Sequence, residues 1–456
     1  MLPHSYLPHT PAIAVADINN DGIDDIYVGG ITGEEKYLLV GGKDGKYTKI
    51  TVPVFSEFKD YADAGAQWID VNNDGKPDLI VTSANNPFTD PAKLMPPRLY
   101  INKGNNQFEY KELPKLSDPV TKIFTFDFNN DGLTDFCLYS SISFRDYTGP
   151  ASSTVLINKG NGNFIIAAND YKGITGIPYI TSISTADIDH NGKDDIVISA
   201  EWQPVQIFLN DGKKLKKWSS PLLDSLKGWW QCAMIADIDQ DGKADLIAGN
   251  WGLNNKLNVT TDHPLYAYNN DLDKDGKNDL ILSYFYKGSY YPFRPKNDLE
   301  QELPYIKKEF LSYQKMADKT TSEIFKDKLN EQTRLTANQF GSIFISDVLR
   351  AKTYSNLPYQ FQQAPIRSVF INGPAQNDMM VSGNFWGVVP YEGKYDALGL
   401  AGLHYDKGTK KFSMPNYWVN PLFNFEELTY ISPVKTGKTH GYIVMTYSGK
   451  LLLITE

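Results

Sequence analysis

Short apolar runs recur along this chain in pairs, one on each side of a strongly polar stretch. AIAVA, AQWI, KIFTF, SISTA, CAMIA and LYAYNN lead into the polar stretches. IYVGG, LIVTSA, FCLYS, IVISA, LIAGN and LILSY lead out of them. Runs this short, rich in β-branched and aromatic residues and bounded by turn-forming residues, predict strands. The unit is therefore strand, polar loop, strand. The loop is nearly constant: DINNDGIDD at 17–25, DVNNDGKPD at 70–78, DFNNDGLTD at 127–135, DIDHNGKDD at 187–195, DIDQDGKAD at 237–245 and DLDKDGKND at 271–279.

Successive loops begin 53, 57, 60, 50 and 34 residues apart. In the first four units a second hairpin follows: YLLVGGKDGKYTKI, RLYINKGNNQFEY, TVLINKGNGNFII and VQIFLNDGKKLKKW, each with a glycine-containing turn. Four antiparallel strands per period of this length predict the blade of a β-propeller. Weaker copies without the acidic loop occur at 367–384 and 428–448. The fifth interval is too short for a whole blade. Either the strands after Asp237 and Asp271 share one blade, giving seven, or one blade is abbreviated, giving eight; the pattern favours seven. The fold expected is all-β, a single propeller spanning 1–456.

One segment breaks the rhythm. Residues 297–340 are polar, and Leu299, Leu303, Ile306 and Phe310 recur at helical spacing. Thr320 to Glu323 reads as a capping box for a second helix carrying Ile324, Phe325 and Leu329. This predicts a small two-helix insertion packed against the propeller rim.

The loops carry the candidate chemistry. Oxygen-bearing side chains stand at positions 1, 3, 5 and 9, glycine always at position 6, and the position-7 carbonyl can add a further oxygen. In order, the expected ligands are Asp17, Asn19, Asp21, Ile23 and Asp25; Asp70, Asn72, Asp74, Lys76 and Asp78; Asp127, Asn129, Asp131, Leu133 and Asp135; Asp187, Asp189, Asn191, Lys193 and Asp195; Asp237, Asp239, Asp241, Lys243 and Asp245; Asp271, Asp273, Asp275, Lys277 and Asp279. The hydrophobic residues and lysines at position 7 would contribute only their carbonyls. An all-oxygen set selects a hard cation, and this spacing points to Ca²⁺ at up to six sites. An EF-hand would continue to a Glu at position 12 and enter a helix; these loops end at position 9 and enter strands.

The cation changes how composition is read. The formal charge is −9, which six bound Ca²⁺ would bring to about +3. No clustered basic patch suggests nucleic acid, and no apolar run is long enough for a transmembrane segment. Cys137 and Cys232 fall in non-adjacent units and read as small buried hydrophobes rather than a disulfide. Weak calcium modules fill only where calcium is abundant, which argues for export. The first residues, Met1 to His4, show neither the basic nor the apolar region of a signal peptide, so the start reads as trimmed or processed.

The six loops resemble the FG-GAP/VCBS repeat superfamily, whose blades form integrin-α-like propellers. LPHSYLPHTPAIAVADINNDG, GWWQCAMIADIDQDGKADLIAGNWGLN and the segment after YYPFRPKNDL are further similar to bacterial surface proteins of the ASPIC/UnbV (cartilage acidic protein-like) group. That resemblance implies an outer-membrane lipoprotein, often beside a nutrient-uptake transporter complex, and implies no reaction. The lipid-attachment cysteine and signal of such proteins are not in this sequence.

If the first strand of each blade is innermost, all acidic loops share one face. The opposite face would then gather Trp202, Trp229, Trp230, Trp251 and Trp386, five of the eight tryptophans, near the loops 85–97, 141–153 and 387–398. Aromatic faces beside Asn and Glu suit a glycan or protein ligand, though propeller tryptophans also pack between blades. HExxH, GxSxG and metal-type CxxC motifs are absent. The expectation is a non-enzymatic binding propeller, with a polysaccharide lyase as the enzymatic alternative and a pure scaffold as the structural one.

Overall fold

The computed structural model describes residues 3–6, 10–83, 96–142, 151, 153–167, 171–371, 377–415, 426–437 and 439–455. Eight antiparallel sheets form among them. In chain order, the first runs through Ile13–Ala16, Asp25–Val28, Tyr37–Gly41 and Tyr47–Thr51. The second holds Asp63–Ile69, Asp78–Ser83, Arg98–Gly104 and Gln107–Glu112, and the third Lys122–Phe126, Asp135–Tyr139, Ser153–Asn158 and Phe164–Ile166. The fourth holds Ile180–Ala186, Asp195–Gln203, Gln206–Asn210 and Leu215–Trp218, with Gly228–Trp229 added at the far end of its second strand. A sixth sheet of four strands (Ser368–Ile371, Asp378–Ser382, Leu400–Asp406, Lys411–Ser413) and a seventh of three (Leu428–Lys435, His440–Thr446, Leu451–Thr455) close the series.

The fifth sheet departs from local order. Cys232–Ala236 and Asp245–Gly249 pair with Ile343–Ile345 and Ser355–Asn356, from a hundred residues further on. Between them lies an inserted sheet in the order Ser289–Pro292, Asp279–Tyr286, Leu265–Asn270, Leu335–Ala337. The strands after Asp237 and Asp271 therefore do not share a blade, which corrects the sequence expectation. The short fifth interval arises because the sixth acidic loop belongs to a nested hairpin that splits the fifth sheet.

Burial explains the strand sequences. Second strands such as Asp25–Val28, Asp78–Ser83, Asp135–Tyr139 and Asp245–Gly249 are buried at every position. Each is covered on both faces by neighbouring sheets, so it reads as an unbroken apolar run rather than an alternation. Outermost strands such as Tyr47–Thr51 and Leu215–Trp218 are largely solvent-facing and carry the lysines. Apolar clusters form between sheets: Phe136, Leu138 and Leu156 of the third pack with Ile80 and Leu99 of the second.

The helical insertion is more broken than its periodicity predicts. Four short α-helices, Lys296–Glu302, Pro304–Glu309, Tyr313–Met316 and Thr321–Phe325, replace two. Pro304 has no N–H to continue the first helix and instead begins the second. Leu299, Leu303, Ile306 and Phe310 are buried against Tyr268, Leu272 and Ile281 of the inserted sheet. The capping box is present: Glu323 N–H donates to Thr320 Oγ1 at 3.2 Å, and Thr320 N–H donates to Glu323 Oε2 at 2.8 Å.

Candidate functional site

Each acidic loop joins the first strand of a sheet to the second, except the sixth, which joins two strands of the inserted sheet. Its path is set by two left-handed residues. Position 4 has φ between 56° and 66° at Asn20, Asn73, Asn130, His190, Gln240 and Lys274, and position 6 has φ between 80° and 87° at every glycine. Glycine takes this conformation without a Cβ penalty, and Asn tolerates it better than most residues. The turn aims backbone donors inward. In the third loop Asp131 N–H donates to Asp127 Oδ1 at 3.1 Å and to Asn129 Oδ1 at 3.0 Å, Gly132 N–H to Asp127 Oδ2 at 2.8 Å, and Leu133 N–H to Asp131 Oδ1 at 2.9 Å.

Position 9 does a second job. Asp25, Asp78, Asp135, Asp195 and Asp245 are fully buried, and Asp279 nearly so. Asp135 Oδ2 accepts from Phe128 N–H at 2.9 Å, and its Oδ1 from Asn158 N–H on the third strand at 2.7 Å. The same pair of bonds recurs at Asp25, Asp78 and Asp195. Burial pushes the carboxyls of Asp25, Asp78, Asp135 and Asp279 up to about 6, partly offset by these donors, and the acids at positions 1, 3 and 5 add to the rise.

The carboxylates converge. In the fourth, fifth and sixth loops the acids at positions 1, 3 and 9 (Asp187, Asp189 and Asp195; Asp237, Asp239 and Asp245; Asp271, Asp273 and Asp279) bring one oxygen each within 4.8 Å of the others. Loops one to three have Asn at position 3, so a neutral carbonyl oxygen takes that place. The position-5 acids stand further out, and Lys243 Nζ lies 3.0 Å from Asp241 Oδ2. Three carboxylates this close repel one another unless a cation lies between them, and the donors are all oxygen. The residues thus fit Ca²⁺.

An unanticipated set of asparagines ties the loops together. Asn158 and Asn210 end the third strands of sheets three and four, and Asn102 stands two residues before the end of that of sheet two. The Asn158 amide donates from Nδ2 to Val71 O of the preceding loop at 2.9 Å and to Thr134 O of its own loop at 3.2 Å. Its Oδ1 accepts from Gly160 N–H at 2.9 Å. Asn102 repeats this with Ile18 O and Pro77 O, both at 3.0 Å. The signal in the sequence is the Asn before x-Gly in INKG, INKG and LNDG. Asn158→Ala leaves two carbonyls without donors and is expected to cost about 1–3 kcal/mol in urea unfolding, against almost nothing for Asn163→Ala on the exposed turn.

The opposite end differs from expectation. Trp202, Trp229, Trp230 and Trp251 are buried to within 1% of their surface, so they offer no face to a ligand; Trp386 is half-buried. Trp229 sits edge-on to Trp202 at 5.3 Å and to Trp251 at 4.9 Å between ring centroids, while Trp251 Nε1 donates to the Tyr395 hydroxyl at 3.1 Å. Trp230 packs in a separate cluster and donates to Leu226 O at 3.2 Å. Most of the loops 85–97 and 141–153 lies outside the described residues.

What this end does hold is a cavity of about 390 Å³ with a mixed polar and apolar lining. The first strands of seven sheets converge on it: Ile13, Gly65, Lys122, Ser182, Gln231, Ser368 and Thr429 each belong to or adjoin a different one. The N-terminal segment lies across it. His4 Nε2 is 2.9 Å from Glu201 Oε1, the Tyr6 hydroxyl donates to Glu201 Oε2 at 2.5 Å, and Gln231 Nε2 donates to Oε1 at 3.0 Å. Burial pushes the Glu201 carboxyl up, but these three partners outweigh it and hold the group below the ordinary range. Lys122 and Arg367 supply cations to the lining of the same cavity. Sequence reading passed over both; a charged residue opening an innermost strand, as in KIFTF, was the available signal.

FG-GAP-like repeats match residues 17–81, 70–138 and 192–248. Cartilage acidic protein 1 of Xenopus tropicalis is 23% identical over 262 residues, and that of Mus musculus 24% over 269; each match covers 52% of this chain and 40% of the relative. An ancestral GH74 enzyme covers this chain fully at TM-score 0.46 and 10% identity, 48% of its own chain matching. YCF48 from Cyanidioschyzon merolae does so at TM-score 0.45 and 9% identity, with 97% of its chain matched. These two likenesses carry no functional weight. Repeats and sheets together make this chain an all-β propeller that carries FG-GAP-like repeats and is similar to cartilage acidic protein 1 over about half its length.

Proposed function

We propose that this chain is a non-enzymatic, calcium-stabilised propeller, secreted or displayed on an outer-membrane surface, which binds a protein partner or a glycan. On this reading 1–456 forms one unit of seven blades, with the 265–337 sheet and its helices as a lateral insertion. The observation that carries it is the separation of the two ends. The acidic loops of the ring sheets pin one end, each tied by position 9 to the third strand of its own sheet, while the opposite end gathers seven first strands around a cavity. Calcium at such loops requires the concentrations found outside cells, which supports the location. The similarity to cartilage acidic protein 1 and the FG-GAP-like repeats bring no catalytic motif with them, and an accessory role in an outer-membrane nutrient-uptake complex is the specific form proposed.

Co-purification from native membranes tests this: a stoichiometric protein or glycan partner is expected. Should incubation with anionic polysaccharides instead yield the ultraviolet absorbance of unsaturated products, the chain is a lyase and the reading fails.

A further inference from the structure

The central cavity holds a cation, Lys122, that makes no ion pair among the described residues; Glu201 acts on it only at longer range. Lys122 opens the first strand of the third sheet and lines the cavity; its Nζ donates to Thr181 O at 2.5 Å and lies 5.9 Å from the Tyr139 ring centroid. Among the described residues no carboxylate lies within ion-pair distance of it. Arg367, which also lines the cavity beside the sixth sheet, is only loosely paired, its Nη1 3.7 Å from Glu427 Oε1, and its guanidinium lies 4.9 Å from the Phe385 centroid. The two acids of the cavity are already committed. Glu201 serves His4, Tyr6 and Gln231, and Glu427 accepts from Trp386 N–H at 2.7 Å through its other oxygen. Two half-buried cations with little direct carboxylate contact leave room for an incoming anion to pair with them.

The rest of the lining narrows the class. The hydroxyl-bearing residues Thr10, Ser182, Ser368 and Thr429 line the same cavity, and Tyr430 adds an aromatic ring. Hydroxyls suit a polyhydroxylated ring, and an aromatic face suits its apolar side. The volume lies near the lower end of the ~300–1,000 Å³ typical of small-molecule sites, which limits the occupant to one or two sugar rings. We propose that this cavity binds the carboxylate of an acidic sugar, a hexuronate or the end residue of a uronate chain, with Lys122 and Arg367 as the anion-recognising pair. Burial, with the nearby Arg367 adding to it and the Glu201 charge partly offsetting it, lowers the Lys122 ammonium to about 8, so the group still carries its charge near neutral pH and gains a partner on binding. The inference rests on the reading of this chain as a binding propeller and names its ligand.

The test is calorimetric titration of the calcium-loaded chain with D-galacturonate, its methyl ester, D-galactose and a galacturonate trimer. Galacturonate is expected to bind at least about tenfold more tightly than the ester or galactose, because only it presents the charge. The trimer separates free sugar from chain end: tighter binding than the monomer places the end residue of a uronate chain in the cavity, and weaker binding confines the site to the free sugar. Lys122→Gln and Arg367→Gln should each lower galacturonate affinity about tenfold or more. Their melting temperatures with calcium should not fall, so lost binding cannot be lost folding. If one variant melts early, the other and the ester comparison still decide. Equal binding of acid and ester, or affinity unchanged in both variants, overturns the proposal. A flat titration in a protein that still co-purifies with a partner sinks this site alone; a flat titration with no partner sinks the binding reading too.

Discussion

Chelating calcium is expected to lower the melting temperature by at least about 10 °C. A cation that binds only the folded state stabilises it by RT ln(1 + [L]/Kd), ~2.7 kcal/mol per site at a hundredfold excess. The three loops whose carboxylates converge most closely would together supply about 8 kcal/mol on that basis. A domain of 150–250 residues shifts by ~2–4 °C per kcal/mol, and a larger one by less, which sets the lower figure. The effect has two origins: the bound state gains ion–oxygen contacts, and the metal-free state keeps crowded, partly desolvated carboxylates such as Asp245 and Asp279. Differential scanning calorimetry with and without chelator measures it. A melting temperature that does not move would show that the loops close on their own hydrogen bonds.

Trp229→Ala is expected to cost ~3–5 kcal/mol, the range for a large aromatic lost from a core. Its ring contacts Trp202, Trp251 and Phe340 and lies beneath His4 at 5.5 Å. Its strand pairs with Glu201, so the cavity floor and the fourth sheet loosen together. Trp202 is held at φ 62°, a conformation uncommon for a bulky side chain, and depends on this packing. Trp386→Ala, at a half-buried position, should cost clearly less. Denaturant unfolding of both variants decides; equal losses would mean that Trp386 is as much core as Trp229.

What the sequence made legible was local. The acidic loops announce themselves because their ligands lie within nine residues, and the second strands because burial on both faces leaves an apolar run behind the opening Asp. Pairings with partners far along the chain left no such trace. Nothing near Asp237 indicates that Asp245–Gly249 takes its next neighbour from Ile343–Ile345. Four of the five tryptophans expected at a ligand face, Trp202, Trp229, Trp230 and Trp251, are buried instead. Composition cannot distinguish a ring facing solvent from one covered by His4 and Tyr395. Lys122 was hidden for the opposite reason, since one lysine at the start of a strand reads as an ordinary solvated end until six other strands close around it.

The most direct measurement is calcium stoichiometry, by elemental analysis and native mass spectrometry of the chain equilibrated at millimolar calcium. Several ions per chain, up to six, are expected, with one lost for each of Asp187→Ala, Asp237→Ala and Asp271→Ala. A chain that retains its fold and carries no calcium under those conditions would contradict the assignment of the loops as metal sites.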